Sequence, residues 1–281
     1  MLGGSAHGSW LKPAWLALVF GLIGCAVTPA ADFATMMVEA TFKLTNSTFN
    51  VTCFLVHREA PDSALYLVTA AHVLELAKED TATVVLRERR PDGSYQRRDY
   101  TLATRREGKP LWLRHATEDV AILRLAEQPP VAVAALPLST LADEARLATA
   151  GLHICSPVFM LSYPAGLEAN EACFAVARPG IIASHPLLPV DRYRTYLASL
   201  TTFLGDSGGP LFVRDADGNP LVIGLVMGEL RRDEGVTMEY EERMIHHRVG
   251  LAIVVHTQFI REVIEQAAKQ AGNGPGQKRA R

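Results

Sequence analysis

From about residue 36 the chain alternates between short apolar stretches and turn residues. Met37-Val38-Glu39-Ala40-Thr41-Phe42-Lys43-Leu44 alternates in part, and Phe49 to Val56 is rich in β-branched and aromatic side chains. Both read as strands. Leu65-Tyr66-Leu67-Val68, Thr81 to Arg87 and the run opened by Asp119, Val120-Ala121-Ile122-Leu123, have the same character. Pro91-Asp92-Gly93-Ser94 is a hairpin turn signal. An apolar connector containing Pro129-Pro130 follows, and strand character resumes at Val158 to Gly166, Gly180 to Ser184, Tyr196 to Leu200, Leu211 to Val213 and Val222 to Gly228. Apart from a brief helical turn after His72, only the end of the chain changes period. Ile260, Val263, Ile264 and Ala267 fall at i, i+3, i+4 and i+7, which predicts one amphipathic helix over about 257–271, with Thr257 as its cap and Gly272 as its stop. Many short strands with turns between them predict an all-β barrel or sandwich.

Two features stand out against this background. The first is Gly205-Asp206-Ser207-Gly208-Gly209-Pro210, set between two strand-like runs. A simple turn does not need a serine with glycines on both sides. Nucleophilic chemistry does. Gly205 lets the backbone turn so that its N–H and that of Ser207 converge as an oxyanion hole, and Gly208 and Gly209 keep side chains away from the substrate. A serine hydroxyl is a weak nucleophile without a base. The second feature supplies one: Thr69-Ala70-Ala71-His72 ends a strand-like run, and Asp119 opens another.

In the order His72, Asp119, Ser207, these stretches resemble the trypsin-like serine peptidase family over roughly residues 36–268. The resemblance implies two six-stranded-type antiparallel β-barrels, about 36–130 and about 150–256, with the active site in the cleft between them. It also implies roles: His72 as general base, Asp119 as the group that fixes its tautomer, Ser207 as nucleophile, and an endopeptidase that needs no cofactor or metal. A pseudo-enzyme that keeps the fold as a protein-binding surface is the competing class. By position relative to the serine, Thr201 falls at the base of the substrate pocket, or Thr202 if the alignment slips by one. Met227 and Gly228 fall on the pocket wall. The resemblance therefore implies an uncharged pocket for a small or medium apolar residue.

Asp206 raises a further question. In zymogen-type members the aspartate before the serine pairs with a freshly cut amino terminus, and no activation site of that kind is visible here. Burying it unpaired would be costly. It is therefore solvated, paired with an internal cation, or part of a loop not fully formed at rest. Gly250-Leu251-Ala252-Ile253 resembles the last strand of the bacterial Deg/HtrA-like branch. That branch commonly adds a PDZ domain, and too few residues follow the helix for one, so peptide-gated control is not expected.

Composition adds little except at the ends. The 281 residues are 48% hydrophobic and 21% charged, with formal net charge −2. This near-neutral balance gives no signal for nucleic acid; the partners expected are polypeptide substrates. Residues 1–31 read as an export signal, with an apolar core from Ala14 to Ile23 that is short for a bilayer span. It ends in Leu22-Ile23-Gly24-Cys25, which resembles the bacterial lipobox. Lipidation at Cys25, an ordinary signal cut nearby with Cys25 discarded, and a retained anchor are the three readings. All three place the catalytic part outside the cytoplasm, in the bacterial periplasm or cell envelope, lipid-anchored or otherwise secreted, and the membrane partner expected is a lipid anchor at Cys25. Cys155 and Cys173 are expected either to pair as a disulfide across the second barrel or to stay as buried thiols, with Cys53 free. His246-His247 reads as a surface pair in a polar loop. Residues 273–281 read as a flexible basic tail.

Overall fold

The computed structural model describes residues 33–59, 63–215 and 217–272. The expected export segment, Cys25 and the basic tail lie outside the described residues. A short helix α1 (Phe33–Glu39) precedes the strands. In the first half these are β1 (Thr41–Thr45), β2 (Asn50–Arg58), β3 (Ala64–Thr69), β4 (Thr81–Arg89), β5 (Tyr95–Ala103), the short pieces β6 (Arg105–Arg106), β7 (Lys109–Pro110) and β8 (Leu113–Arg114), then β9 (Ala121–Arg124) and β10 (Leu136–Pro137). Helix α2 (Ala71–Leu76) interrupts them after β3, and α3 (Glu144–Thr149) follows β10. In the second half β11 (Pro157–Ser162), β12 (Val176–Ile182), β13 (Thr195–Ser199), β14 (Pro210–Arg214), β15 (Pro220–Met238) and β16 (Glu241–His256) lead into α4 (Thr257–Gly272).

The second-half strands form a closed six-stranded barrel in the order β11-β12-β13-β16-β15-β14. Where the first barrel was expected, the ladder is an eight-stranded sheet running β5-β4-β1-β2-β3-β9-β8, with β10 parallel to β2. Its hydrogen bonding runs from β5 to β8 without closing. Both halves are built from runs of apolar and β-branched residues, and their interiors join in one hydrophobic core.

The C-terminal helix presents the expected face: Ile260, Val263, Ile264 and Ala267 are all buried. It packs on β8 and β9 of one half and on β15 and β16 of the other, so it ties the two together. Thr257 does not cap it. Its hydroxyl donates to the carbonyls of Ala142 (2.7 Å) and Val222 (3.0 Å). Those acceptors come from distant segments, which a local capping rule does not see.

Arg87 on β4 is a second tie. Its guanidinium donates to the carbonyls of Val38, Glu39 and Thr41 at 2.8–3.0 Å, to the Cys173 carbonyl at 3.0 Å and to the Tyr163 hydroxyl at 3.3 Å. It lies between the rings of Phe42 and Phe174 at 4.4 and 4.5 Å. Carbonyl dipoles and ring faces, rather than a carboxylate, offset the cost of burying this charge.

Of the two alternatives for Cys155 and Cys173 the free thiols are found, though Cys155 is not buried, and the reading of His246-His247 as a loop pair is corrected. Cys155 and Cys173 are free thiols, the first exposed and the second buried. The β11/β12 ladder shows why they do not pair. It runs from Pro157 opposite Ile181 to Ser162 opposite Val176, and the two cysteines flank opposite ends of it. At roughly 3.3 Å per residue, that separation exceeds the Cα distance of about 7 Å that a disulfide tolerates. His246 and His247 are not in a loop. They sit on β16, in a long two-stranded arm formed with β15. They pair with Asp233 and Glu234 at 2.6 and 2.9 Å and are exposed.

His256, at the base of that arm, is fully buried beside Tyr196, with ring centroids 4.8 Å apart. Burial lowers its pKa from the ordinary 6.5 to about 4, against a smaller pull from the Tyr193 backbone. In the unfolded chain the imidazole charges near pH 6.5; in the folded chain it stays neutral to about pH 4. The unfolded state therefore binds more protons in that window, and stability falls as pH drops through it. Urea unfolding between pH 7 and 4 should lose roughly 3 kcal/mol from this group. His256→Phe should flatten the slope; the same slope in both proteins would assign the acid sensitivity elsewhere.

Candidate active site

The pairing of β3 with β9 brings His72 and Asp119 together. Thr69 lies opposite Ala121, so the segment after β3 and Asp119, two residues before β9, meet at one edge of the sheet. His72 is the second residue of α2. Its ring Nδ1 lies 2.6 Å from Asp119 Oδ2, and its backbone N–H donates to Asp119 Oδ1 at 2.8 Å. Burial works to raise the Asp119 pKa. The hydrogen bonds from the His72 ring, the His72 N–H and the Ala71 N–H overcome it and hold the carboxyl below the usual range. Asp119 is therefore ionised at neutral pH. It fixes the imidazole with a proton on Nδ1 and leaves Nε2 facing the cleft as an acceptor.

Ser207 enters from the other half, on the loop between β13 and β14. Its position depends on Thr52 of β2. The Thr52 N–H donates to the Ser207 carbonyl (3.1 Å) and the Thr52 hydroxyl to the Gly205 carbonyl (2.7 Å). That hydroxyl also accepts from the Tyr163 N–H (3.1 Å). With their carbonyls held, Gly205 and Ser207 leave their N–H groups without a hydrogen-bond partner among the described residues. Gly205 has φ +99° and Gly208 φ +87°. A Cβ on Gly205 would meet the Tyr163 and Asn50 carbonyls, and one on Gly208 would meet the Thr52 carbonyl and the Thr69 hydroxyl. A Cβ on Gly209 would press on the Leu161 and Asp206 carbonyls. This corrects the expectation that Gly208 and Gly209 clear space for substrate. They clear space for the protein's own backbone.

Asp206 has an internal cation. Arg178 of β12 reaches it at 2.5 Å, with the Asp206 side chain 1% exposed and the Arg178 side chain 19% exposed. The contact is an ion pair, with no hydrogen bond to that carboxylate oxygen among the described residues. The other Asp206 oxygen accepts the Phe203 N–H at 2.7 Å, and Arg178 also donates to the Thr201 carbonyl (2.7 Å) and the Ser162 hydroxyl (2.9 Å). One arginine thus holds the loop at both ends.

Ser207 and His72 line a common cleft of about 550 Å³. The serine hydroxyl is turned toward the Met227 carbonyl at 3.5 Å and makes no hydrogen bond to His72. Nucleophile–base contacts are often long before substrate binds. Thr201, Thr202, Met227 and Gly228 do not line this cleft. Thr201 is exposed. Thr202 is buried, its hydroxyl donating to Glu229 (3.3 Å) and its carbonyl accepting from Arg248 (3.0 Å). The surroundings expected to be uncharged therefore hold the Glu229 carboxylate, paired with Arg231 at 2.7 Å and Arg248 at 3.6 Å. Among the described residues no three His, Cys, Asp or Glu side chains are grouped to hold a metal ion.

Thr52 and Arg178 escaped the sequence reading. An internal cation was one of three alternatives left open for Asp206, and nothing local distinguishes Arg178 from the other arginines. Thr52 looks like any strand threonine.

The model of the trypsin-like peptidase domain matches residues 51–225. No curated protein matches the chain. Among solved structures, an inactive serine-to-alanine form of Rv3671c from M. tuberculosis H37Rv is 22% identical, with TM-score 0.48 over 88% of this chain and 94% of that one. The inactive form of the Rv3671c protease is 20% identical, with TM-score 0.49 over 84% and 92%. The matched span of the family model runs from β2, which carries Thr52, through His72, Asp119 and the Ser207 loop, and on that match the chain belongs to the trypsin-like peptidase family of serine-type peptidases.

Proposed function

We propose that the chain is an exported serine endopeptidase in which Ser207 is the nucleophile, His72 the general base and Asp119 its orienting partner. His72 Nε2 takes the hydroxyl proton as Ser207 Oγ attacks the peptide carbonyl. The negative charge that develops on the carbonyl oxygen is met by the Gly205 and Ser207 N–H groups. The imidazolium, stabilised by Asp119, then gives its proton to the departing amine. Water repeats the sequence on the acyl-enzyme. The observation that carries this reading is the His72–Asp119 pair, with its 2.6 Å contact, facing the cleft that Ser207 also lines.

The turn of the Ser207 hydroxyl toward Met227 favours a second reading, a latent or purely protein-binding form. A fluorophosphonate probe separates the two. Stoichiometric labelling of Ser207 together with casein hydrolysis supports the peptidase. A protein that neither labels nor cleaves is the binding module.

Export is inferred from residues 1–31, with the catalytic part in the periplasm or cell envelope. No helix among the described residues is long and apolar enough to cross a membrane. Palmitate incorporation in a bacterial host that is lost in Cys25→Ser would support the lipid-anchored form. A mature amino terminus near Ala31 with no lipid would assign the ordinary signal, and an uncleaved cytosolic product would overturn export.

A further inference from the structure

We infer that this peptidase selects its substrates chiefly on the leaving-group side, by seating a bulky apolar side chain that follows the scissile bond. The inference rests on the peptidase reading of Ser207 and adds the substrate class. The cleft's position settles which side of the bond it serves. His72 gives its proton to the departing amine, so the amine half of the substrate lies toward α2. The acyl half lies toward β15, whose Met227 carbonyl is 3.5 Å from Ser207 Oγ. The cleft is bounded by the β1–β2 turn, α2, the turn at 164–166 and Leu204–Gly205, and it takes no residue from β15. It is therefore on the amine side.

Its walls are uncharged and mostly apolar, with Ser47, Thr48 and Asn50 as polar members beside His72 and Ser207. Phe49, Val51, Val73, Leu76 and Leu204 line it, and no Asp, Glu, Lys or Arg does so among the described residues. Leu76 and Leu204 are 64% and 79% exposed. Each flanks a working group: Leu76 lies one turn beyond His72 on the same face of α2, and Leu204 directly precedes Gly205. The Phe49 wall is held in advance, because the Asn46 side chain accepts the Thr48 and Phe49 N–H groups at 2.8 and 2.9 Å. A wall fixed before binding loses little entropy when a side chain enters. A volume of about 550 Å³ is ample for one large residue. On the acyl side, by contrast, Thr202 is buried against Glu229 and both threonine carbonyls are taken by arginines. A charged residue entering the cleft would lose hydration with no counter-ion, whereas Leu, Ile, Met or Phe would cover the two exposed leucines.

The test uses the full-length protein on denatured casein, with cut sites mapped by mass spectrometry. Leu, Ile, Met and Phe should be enriched at the first position after the cut by about tenfold over Asp, Glu, Lys and Arg. Leu76→Glu should abolish that enrichment and favour Lys and Arg there, while the residues before the cut keep their distribution. Leu76 is largely exposed, so this variant should keep its melting temperature. A flat profile after the cut in the wild type, or a profile that Leu76→Glu leaves unchanged, overturns the inference and spares the peptidase reading. A wild type that neither labels with fluorophosphonate nor cleaves overturns both.

Discussion

Ser207→Ala is expected to lower kcat/KM on casein by about 10⁴-fold, with the unfolding midpoint unchanged. The loss is large because, in the proposed mechanism, the three groups act as a unit. Without Oγ no acyl-enzyme forms, and the oxyanion donors and substrate contacts supply only the residual rate. Asp119→Asn tests the same unit from its other end. The amide still reaches His72, but the proton on Nδ1 is no longer matched by an acceptor carrying full charge, and the wrong tautomer becomes accessible. Most of the rate should go while the fold stays. Equal activity in Ser207→Ala and wild type would remove Ser207 as nucleophile.

Arg178→Met is the second large effect. Asp206 is almost wholly buried and Arg178 is its only cation in the structure's described residues. Removing one partner of a buried pair costs about 3–5 kcal/mol, because the remaining charge is left in a low-dielectric site. The unpaired carboxylate then turns out to solvent, and the Asp206–Phe203 link and the Thr201 anchor are lost. Gly205 and Ser207 are the next residues along this loop, so the two N–H groups lose their alignment. Loss of oxyanion donors costs about 10²–10³ in rate. The expected result is a drop of that size in both casein hydrolysis and fluorophosphonate labelling, accompanied by a lower urea midpoint. Arg178→Lys should recover part of the stability and less of the rate, since an ammonium cannot span Asp206, the Thr201 carbonyl and the Ser162 hydroxyl together. The double variant Arg178→Met/Asp206→Leu should recover stability without activity. Arg178→Met with near wild-type labelling would show that the loop holds its shape without the pair.

The Arg178–Asp206 contact also answers the question raised by the serine's neighbour. A cleavage-activated peptidase gains its buried cation only after processing. Here the cation is part of β12 and is present from the moment of folding. The Ser207 hydroxyl itself is turned toward the Met227 carbonyl, so the proposed mechanism requires it to rotate toward His72.

Much of this molecule follows from local pattern. The β-branched and aromatic runs became strands, Ile260, Val263, Ile264 and Ala267 became the buried face of α4, and the glycines around Ser207 marked a backbone that few other residues could adopt. These are properties of near neighbours in the chain, set by steric limits on φ and ψ and by the period at which side chains meet a core. Only the tertiary structure decided the rest. The Gly208 and Gly209 positions needed the approach of Thr52 and Leu161 to explain them. The long arm of β15 and β16 needed the ladder from Leu225 opposite Val255 out to Met238 opposite Glu241, because charged residues facing solvent on both strand faces leave no alternation to read. Cys155 and Cys173 had a plausible separation in sequence but flank opposite ends of one ladder. Thr52 serves the loop from 153 residues away, and Arg178 reaches Asp206 from the neighbouring strand of a closed barrel. Such contacts are fixed by strand order and closure. The sequence does not show them, because the partner of a buried charge is chosen by where the fold brings the backbone together, not by its distance along the chain.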